Sequence, residues 1–226
     1  MPKKFGVVFV AMGAVLILSA LLLFTYNMME DRQAGQNAEV VVSGLQSIMD
    51  QVTAPSKRGV DTSDPDHPEE MDETEPEEWE TIPQKLPAVM IDGYEYVGVL
   101  NIPDLQLELP VMDEWDYNRL KIAPCRHMGS SRTDDLVIAA HNYASHFGNL
   151  KTLKTGALVI FTDMDGIENR YALERGPETL APNAVDEVLN SSYDLVLYTC
   201  TPGGATRVVT FYNRIVEAPA ETSGVG

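Results

Sequence analysis

One segment near the N-terminus constrains the fold more than any other feature of this sequence. From Phe5 to Tyr26 the chain reads FGVVFVAMGAVLILSALLLFTY, a run of 22 residues without a charge. As a helix this run is about 33 Å long, enough to cross a bilayer core of about 30 Å. The alternative is a cleaved signal peptide, but the run exceeds the usual apolar region of about 7–15 residues and ends without a small-residue cleavage site. The sequence therefore predicts an uncleaved transmembrane anchor over residues 5–26, bound to membrane lipid.

The charges on either side of this run predict its orientation. Lys3 and Lys4 precede the run, whereas Glu30 and Asp31 follow it. Basic residues beside a transmembrane helix stay on the cytoplasmic side. Residues 1–4 are therefore expected in the cytoplasm and the rest of the chain outside. We predict a single-pass protein of the cell membrane whose main domain is extracellular.

Two segments of different character follow the anchor. Residues 27–53 predict a juxtamembrane helix, since apolar side chains recur at helical spacing: Val41, Leu45, Ile48, Met49 and Val52. Four interpretations of this helix are open: it contacts lipid, contacts a second copy, packs on the main domain, or has no functional role. Residues 54–87 are rich in proline and acidic residues and predict an extended spacer. The alternative is an acidic arm that folds over the functional site.

The net charge excludes one class of partner. The chain has a formal charge of −18, and residues 61–80 contain 11 acidic and no basic residues. A chain this acidic repels the phosphates of nucleic acid. Nucleic acid is therefore excluded as a partner.

Residues 88–218 predict a compact, mainly β domain, followed by a frayed tail at 219–226. Strands are predicted at 94–101, 105–112, 135–140, 157–162, 169–174, 193–200 and 207–216, with short helices at 115–122 and 181–189. Asp165-Gly166 predicts a hairpin turn, and the alternative, a calcium loop, lacks its remaining ligands. This many strands indicates a barrel or sandwich. We expect a chain that starts near Pro83 to fold alone.

Three reactive side chains stand at the ends of predicted strands. Cys200 ends one strand, His141 directly follows another, and Arg207 opens the strand after the Cys200 loop. Together they supply a nucleophile, an acid/base group and a partner for an oxyanion. Each residue taken alone is more often structural, and the sequence leaves open whether the three ends converge. A redox role for Cys125 and Cys200 is the weaker alternative, since no C-x-x-C motif exists.

Three segments of the sequence together resemble one known protein family. YVGVLNIPDLQLELPV is similar to the opening hairpin of sortases, with its G-x-L-x-I-P start and L-P-V end. DLVIAAHNYASHFGNLKTLKTGALVIFTDMDG is similar to their histidine strand and the landmarks that follow it. LVLYTCTPGGATRVVTFYNRI is similar to their T-x-T-C signature with its downstream arginine, and Tyr198 is a departure from that signature. The resemblance covers about residues 88–216, with the segments in the family's order.

The resemblance implies a fold, a chemistry and a set of site residues. The fold is a closed sortase-type β-barrel of about seven to eight strands with short helices. The chemistry is that of a cysteine transpeptidase, which needs neither a metal nor an organic cofactor. By position in the motifs, Cys200 matches the nucleophile, His141 the catalytic histidine and Arg207 the arginine that stabilises substrate or oxyanion. The predicted substrate-binding residues are Thr199, Asn142 and His127.

The resemblance also implies partners. These are secreted proteins with a C-terminal sorting motif of the LPxTG type, and an amine acceptor on a cell-wall precursor or another surface protein such as a pilin. The alternatives are a hydrolase that releases surface proteins, a pilin-polymerising sortase and an anchored binding module. The subclass is expected to be class B-like or housekeeping-like. Because the mechanism requires a free Cys200, Cys125 is expected to be an unpaired loop residue.

Overall fold

The N-terminal part of the described chain is one long helix. A computed structural model describes residues 3–53 and 84–216. Its first element is α1, which runs as a single helix over Lys3–Thr53. No proline occurs between these bounds, so nothing breaks the helix between the apolar run and the juxtamembrane segment. Within the described ranges, α1 is the one helix long and apolar enough to cross a membrane.

Most of the predicted spacer and the predicted tail lie outside the described residues, which leave out 54–83 and 217–226. The expectations of an extended spacer or a folded-over arm therefore stay predictions. The last part of the predicted spacer is described, and there Leu86 is buried in the central core. The β domain thus begins before residue 88.

Within the described residues 84–216, nine strands and one short α-helix follow α1. They are β1 Val89–Ile91, β2 Tyr94–Ile102, β3 Leu107–Met112, β4 Cys125–Met128, β5 Leu136–Ala140, β6 Leu158–Asp163, β7 Glu168–Leu180, β8 Leu195–Cys200 and β9 Arg207–Arg214, with α2 at Val185–Leu189 between β7 and β8. The strand order is β1-β2-β3-β4-β5-β8-β9-β7-β6. β3 and β4 pair in parallel, as do β5 and β8, and the other neighbours are antiparallel.

A pairing between β2 and β6 closes the sheet into a barrel. β6 pairs back onto β2, so eight strands form the closed ring and β1 lies outside it. Gly98 lies at this seam opposite Asp163, and a Cβ atom at position 98 would overlap the carbonyl oxygen of Thr162. Glycine therefore permits the close approach of the two strands. The prediction of a closed, mainly β barrel is confirmed, as an eight-stranded mixed barrel.

Both predicted hairpins are present. β2 and β3 pair through a short 3₁₀ turn at Pro103–Leu105, and β6 and β7 pair around Asp165-Gly166. In the second turn, the Asp163 carboxylate accepts the backbone N–H groups of Asp165 and Ile167, each at 3.0 Å. The same buried carboxylate forms an ion pair with Arg132 at 2.8 Å. Through these contacts Asp163 stabilises the turn, as the hairpin interpretation predicts.

Several local predictions were wrong. Residues 115–122 form only a 3₁₀ turn at Arg119–Lys121. The Asp116 side chain caps this turn by accepting the backbone N–H groups of residues 118 and 119, and Pro124 prevents its growth into a longer helix. β1 and β4 were not predicted, since strands of three and four residues are too short to show a period of two. β7 is twice as long as predicted because its two ends pair with different strands, β6 and β9.

The second half of α1 is part of the hydrophobic core, which contradicts the expectation that a chain from Pro83 would contain the whole core. Val42, Leu45 and Met49 are buried in one cluster with barrel residues that include Tyr96 and Met112. This side of the helix packs on the barrel, whereas the side chains of residues 6–26 are almost all exposed. Of the alternatives for the juxtamembrane helix, the structure shows packing on the main domain.

Candidate active site

The pairing of three neighbouring strands brings the predicted reactive residues to one edge of the barrel. β8 lies between β5 and β9. Ala140 of β5 pairs with Thr199 of β8, so His141 and Cys200 are the next residues along two parallel strands. Cys200 in turn pairs directly with Arg207 of β9. Cys200 therefore lies between His141 and Arg207 at the same strand ends.

A groove opens on the Arg207 side of Cys200. This Cys200 groove has a volume of about 310 Å³, and Cys200 and Arg207 both lie in its wall. The rest of the lining is mainly apolar and aromatic and comes from Trp115, Tyr117, Leu120, Leu180, Ala181, Pro182, Ala184, Val188 and Leu189. The groove thus presents an apolar surface that ends at a thiol and a guanidinium group.

His127 lies in the wall of the Cys200 groove within an aromatic cluster. Its Nδ1 atom lies 2.8 Å from the Tyr198 hydroxyl oxygen, in hydrogen-bond contact. The ring of Trp115 meets the imidazole edge-on, with 4.9 Å between ring centroids. Burial lowers the pKa of His127 below its usual value, so the ring is held neutral near pH 7. This residue belongs to β4, a strand that the sequence did not predict.

Arg207 is anchored by the loop that joins β8 to β9. Its Nη1 atom donates hydrogen bonds to the carbonyl oxygens of Gly204 at 3.0 Å and Thr206 at 3.1 Å. The loop is closed by Thr201, whose hydroxyl oxygen accepts the Thr206 N–H at 3.1 Å. These contacts fix the Arg207 side chain on the loop, in the same groove wall as Cys200.

His141 faces a second cavity on the other side of Cys200. This His141 cavity has a volume of about 860 Å³ and is lined by Phe24, Asn27, Met28, Glu30 and Asp31 of α1, by Lys121, by Asn142, Tyr143 and Ala144, and by Pro202 and Gly203. The imidazole stacks on Tyr143, with 4.0 Å between ring centroids and 30° between planes. Its Nδ1 atom is buried and has no hydrogen-bond partner in the described part of the chain.

Burial lowers the pKa of His141, and the positive charge of Lys121 lowers it further. The carboxylates of Glu30 and Asp31 act in the opposite direction without reversing the shift. His141 is therefore largely neutral at pH 7, the form in which an imidazole can accept a proton.

Comparison with known proteins identifies the family of this barrel. The family model of the sortase domain matches residues 100–218, just over half of the chain. The chain belongs to the sortase family. This is a family of cysteine transpeptidases, and the match covers the strands that carry His141, Cys200 and Arg207. The resemblance seen in the sequence is thereby confirmed.

A solved sortase superposes on this barrel, and two others match it less closely. Sortase A from Corynebacterium diphtheriae superposes with a TM-score of 0.50 at 20% identity, over 57% of this chain and 64% of that chain. The match thus spans less than two thirds of that sortase. Sortase C from Streptococcus pneumoniae matches at 24% identity and a TM-score of 0.47, over 55% and 71% of the two chains. Sortase E from Streptomyces avermitilis matches at 22% identity and 0.46, over 55% and 95%.

A search among curated proteins returned no match to this sortase. The solved sortases that match it include types A, C and E. The expectation of a class B-like or housekeeping-like subclass stays a prediction.

Two further residues predicted to bind substrate occupy different surroundings. Asn142 lies in the wall of the His141 cavity. Thr199 is buried, and its hydroxyl donates a 2.8 Å hydrogen bond to the Ala140 carbonyl oxygen. This bond ties β8 to β5 one residue before Cys200 and one residue before His141. Contact of either residue with substrate stays a prediction.

The prediction of an unpaired Cys125 is confirmed, but its location was wrong. Both cysteines of this sortase are free. Cys125 opens β4 and is fully buried, whereas a loop position was expected. Burial raises the pKa of its thiol to about 12. A buried, protonated thiol is unreactive, so Cys200 is the accessible thiol of the pair.

The buried side chain of His146 is expected to make the folded protein less stable in acid. It is 0% exposed, neither ring nitrogen has a hydrogen-bond partner within the described ranges, and burial lowers its pKa from 6.5 to about 4. The unfolded chain therefore binds a proton that the folded chain excludes as pH falls from about 6.5 to about 4. This difference in proton binding is expected to lower the free energy of unfolding by about 3 kcal/mol when the pH reaches about 4.

Chemical denaturation between pH 7 and pH 4 tests this expectation. In His146→Leu, most of this loss of unfolding free energy in acid should disappear, because leucine does not titrate. At pH 7 the variant should be at least as stable as the wild type, since an unsatisfied buried polar group is removed. An equally steep loss of stability in both proteins would contradict the assignment to His146.

Sequence reasoning missed the contribution of α1 to the site. From the sequence, Glu30 and Asp31 were considered only as charges that orient the anchor, yet both line the His141 cavity. The aromatic residues Trp115 and Tyr117 of the Cys200 groove were also missed. No local sequence pattern predicts these contacts, because they join positions far apart in the chain.

Proposed function

We propose that this sortase is a membrane-anchored, extracytoplasmic transpeptidase that cleaves an LPxTG-like sorting signal and transfers the protein to an amine. The observation that carries the proposal is the position of Cys200 between His141 and Arg207 on adjacent strand ends. A nucleophile, a proton carrier and a cation meet there at the mouth of an apolar groove.

The Cys200 groove is the proposed binding site for the sorting signal. Its apolar and aromatic lining suits the leucine and proline side chains at the start of such a motif. The His127–Tyr198 pair adds hydrogen-bonding atoms to the same wall. A signal bound with its apolar residues in this groove would place a following carbonyl group near Cys200 and Arg207.

The first chemical step forms a thioester. His141 takes the proton of the Cys200 thiol, and the sulfur attacks the carbonyl carbon of the scissile peptide bond to form a C–S bond. Arg207 stabilises the negative charge on the tetrahedral oxygen. The C–N bond then breaks, and the leaving amine takes a proton from His141. The protein substrate remains attached to Cys200 as an acyl group.

The second step transfers the acyl group. An acceptor amine attacks the thioester carbon, and His141 accepts the proton that the amine loses. The C–S bond then breaks, and the proton on His141 returns to the sulfur to regenerate the Cys200 thiol. The acceptor is proposed to be an amine of a cell-wall precursor or of another surface protein. Neutral His141 is the form this step needs, and burial favours that form.

The proposed location follows from α1. Its residues 6–26 present an apolar surface with almost no burial on the barrel, and lysines precede it. We propose that this part of α1 is a transmembrane anchor and that the barrel is extracellular. Packing of residues 34–49 on the barrel would then hold the active site close to the membrane surface.

Mass spectrometry of the detergent-solubilised full chain tests the proposal. With a library of sorting-motif peptides, we expect an acyl adduct that peptide mapping assigns to Cys200 and not to Cys125. An added amine should raise the yield of the amide product and lower that of the hydrolysed acid. Product formed as acid alone, with no response to any amine, would favour a hydrolase. Absence of an adduct with every peptide would contradict the proposal.

A further inference from the structure

The part of α1 that follows the apolar run is hydrogen-bonded to the loop that carries His141. The Asp31 carboxylate accepts the backbone N–H of Ser145 at 2.9 Å and that of Ala144 at 3.2 Å. The Ser145 hydroxyl is also within hydrogen-bond reach of the same residue, at 2.5 Å from Oδ1 and 3.0 Å from the carbonyl oxygen. One side chain of α1 thus accepts the free N–H groups of this loop.

A second set of contacts reaches the imidazole itself. The Tyr143 hydroxyl donates to Glu30 at 3.2 Å, and the Tyr143 ring stacks on His141. The two carboxylates are neighbours on α1, and their loop partners, Tyr143 and Ser145, are two residues apart. The helix therefore holds both the backbone of the loop and the aromatic ring that packs on His141.

The helix also touches the loop directly. A Cβ atom at Gly35 would lie 3.2 Å from the Ser145 Cβ atom, tighter than ordinary van der Waals contact. Gly35 follows Asp31 by one helical turn, so it faces the same loop. Glycine at this position allows α1 to approach closely enough for Asp31 to form its hydrogen bonds.

We propose that Asp31 and Glu30 are positioning residues for His141, and that α1 is for this reason a structural component of the active site. The inference rests on the proposed role of His141 in proton transfer. The bonds from Asp31 are charge-assisted and therefore stronger than neutral ones. Asp31 lies five residues after the apolar run, a rise of about 7.5 Å along the helix. The orientation of the imidazole is thus set by the segment that leaves the membrane.

The charge state of Asp31 agrees with this role. Burial by itself would raise the pKa of Asp31, but the hydrogen bonds from Ser145 and Ala144 outweigh it and lower the pKa. The carboxylate is therefore ionised at neutral pH. The charged and titratable groups that face His141 are Lys121, Glu30 and Asp31, with His146 and Tyr143 on its own loop. Loss of the Asp31 charge should move the His141 titration to lower pH.

The test compares Asp31→Ala and Asp31→Asn with the matched variant Asp50→Asn, which alters an exposed carboxylate of the same helix. The full chain in micelles is assayed for peptide transfer, and the His141 titration is followed by NMR. Asp31→Ala should lower kcat by about 10- to 100-fold with little change in KM, because misplacing a catalytic group by about 1 Å costs up to about 100-fold. Asp31→Asn keeps one acceptor oxygen and should recover part of the rate, while its His141 titration moves to lower pH.

A second pair of variants separates position from charge. Gly35→Val retains both carboxylates but forces α1 away from Ser145, and it should lower kcat. Gly44→Ala adds a methyl group where the nearest atom is at an ordinary 3.6 Å, and it should not. A wild-type rate and titration in Asp31→Ala, measured on folded protein, would overturn the inference. The NMR titration needs no turnover, so failure of the wild type to form an adduct on Cys200 would overturn the proposed function separately.

Discussion

A Cys200→Ala variant is expected to form no acyl adduct with any sorting-signal peptide and to transfer nothing to an amine. Alanine has no nucleophilic atom, and the other cysteine of the chain is buried, with the pKa of its thiol raised to about 12. The fold should not change, because Cys200 lies half-exposed at the end of β8. Intact-mass analysis and a transfer assay measure the outcome, with circular dichroism as the check on folding.

The two flanking residues should show smaller but still large effects. His141→Ala should lower kcat/KM by about 10²- to 10⁴-fold, the usual contribution of a general acid–base group. Arg207→Ala should lower it by about 10²- to 10³-fold, since it removes the proposed partner of the oxyanion.

Cys125→Ser is the matched control for these variants. It removes a thiol that contacts only the Ala123 carbonyl among the hydrogen-bond acceptors of the described residues, and activity should remain. Normal turnover by Cys200→Ala would contradict the whole catalytic assignment. Loss of activity in Cys125→Ser with intact folding would instead indicate that the second thiol takes part.

A Leu45→Ala variant is expected to lower the free energy of unfolding by about 2–5 kcal/mol, although residue 45 lies far outside the barrel sequence. Leu45 is 0% exposed and packs with Val42 and Met49 against barrel residues. Removing a buried leucine side chain forfeits its transfer free energy and leaves a cavity. Urea denaturation of the detergent-solubilised full chain, followed by near-ultraviolet circular dichroism of the barrel aromatics, measures the loss.

Val40→Ala is the matched control on the same helix. Val40 is 72% exposed, so its truncation should change the free energy of unfolding by less than about 0.5 kcal/mol. Equal stability of both variants would mean that α1 does not pack on the barrel in solution. If Leu45→Ala is destabilising as expected, a chain that starts near Pro83 should be less stable still, since it lacks the whole buried side of α1.

The sequence alone determined the features that depend on local patterns. The uncharged run at residues 5–26 predicted a long apolar helix, and helical spacing from Val41 to Val52 predicted its continuation. The turn residues Asp165-Gly166 predicted a hairpin, which the β6–β7 pairing confirms. The strand ends carrying Cys200 and His141 were placed correctly, because a buried strand is an apolar run that stops where the chain leaves the sheet.

Only the tertiary structure decided which surfaces meet. Apolar spacing in α1 shows that one side of the helix is buried, but not whether lipid, a second copy or the barrel covers it. β4 shows no period in four residues, and its partners β3 and β5 place His127 in the Cys200 groove. The hydrogen bonds that Asp31 accepts from Ser145 join residues 114 positions apart. Such contacts follow from closure of the barrel and the docking of α1, which bring together side chains that no local pattern relates.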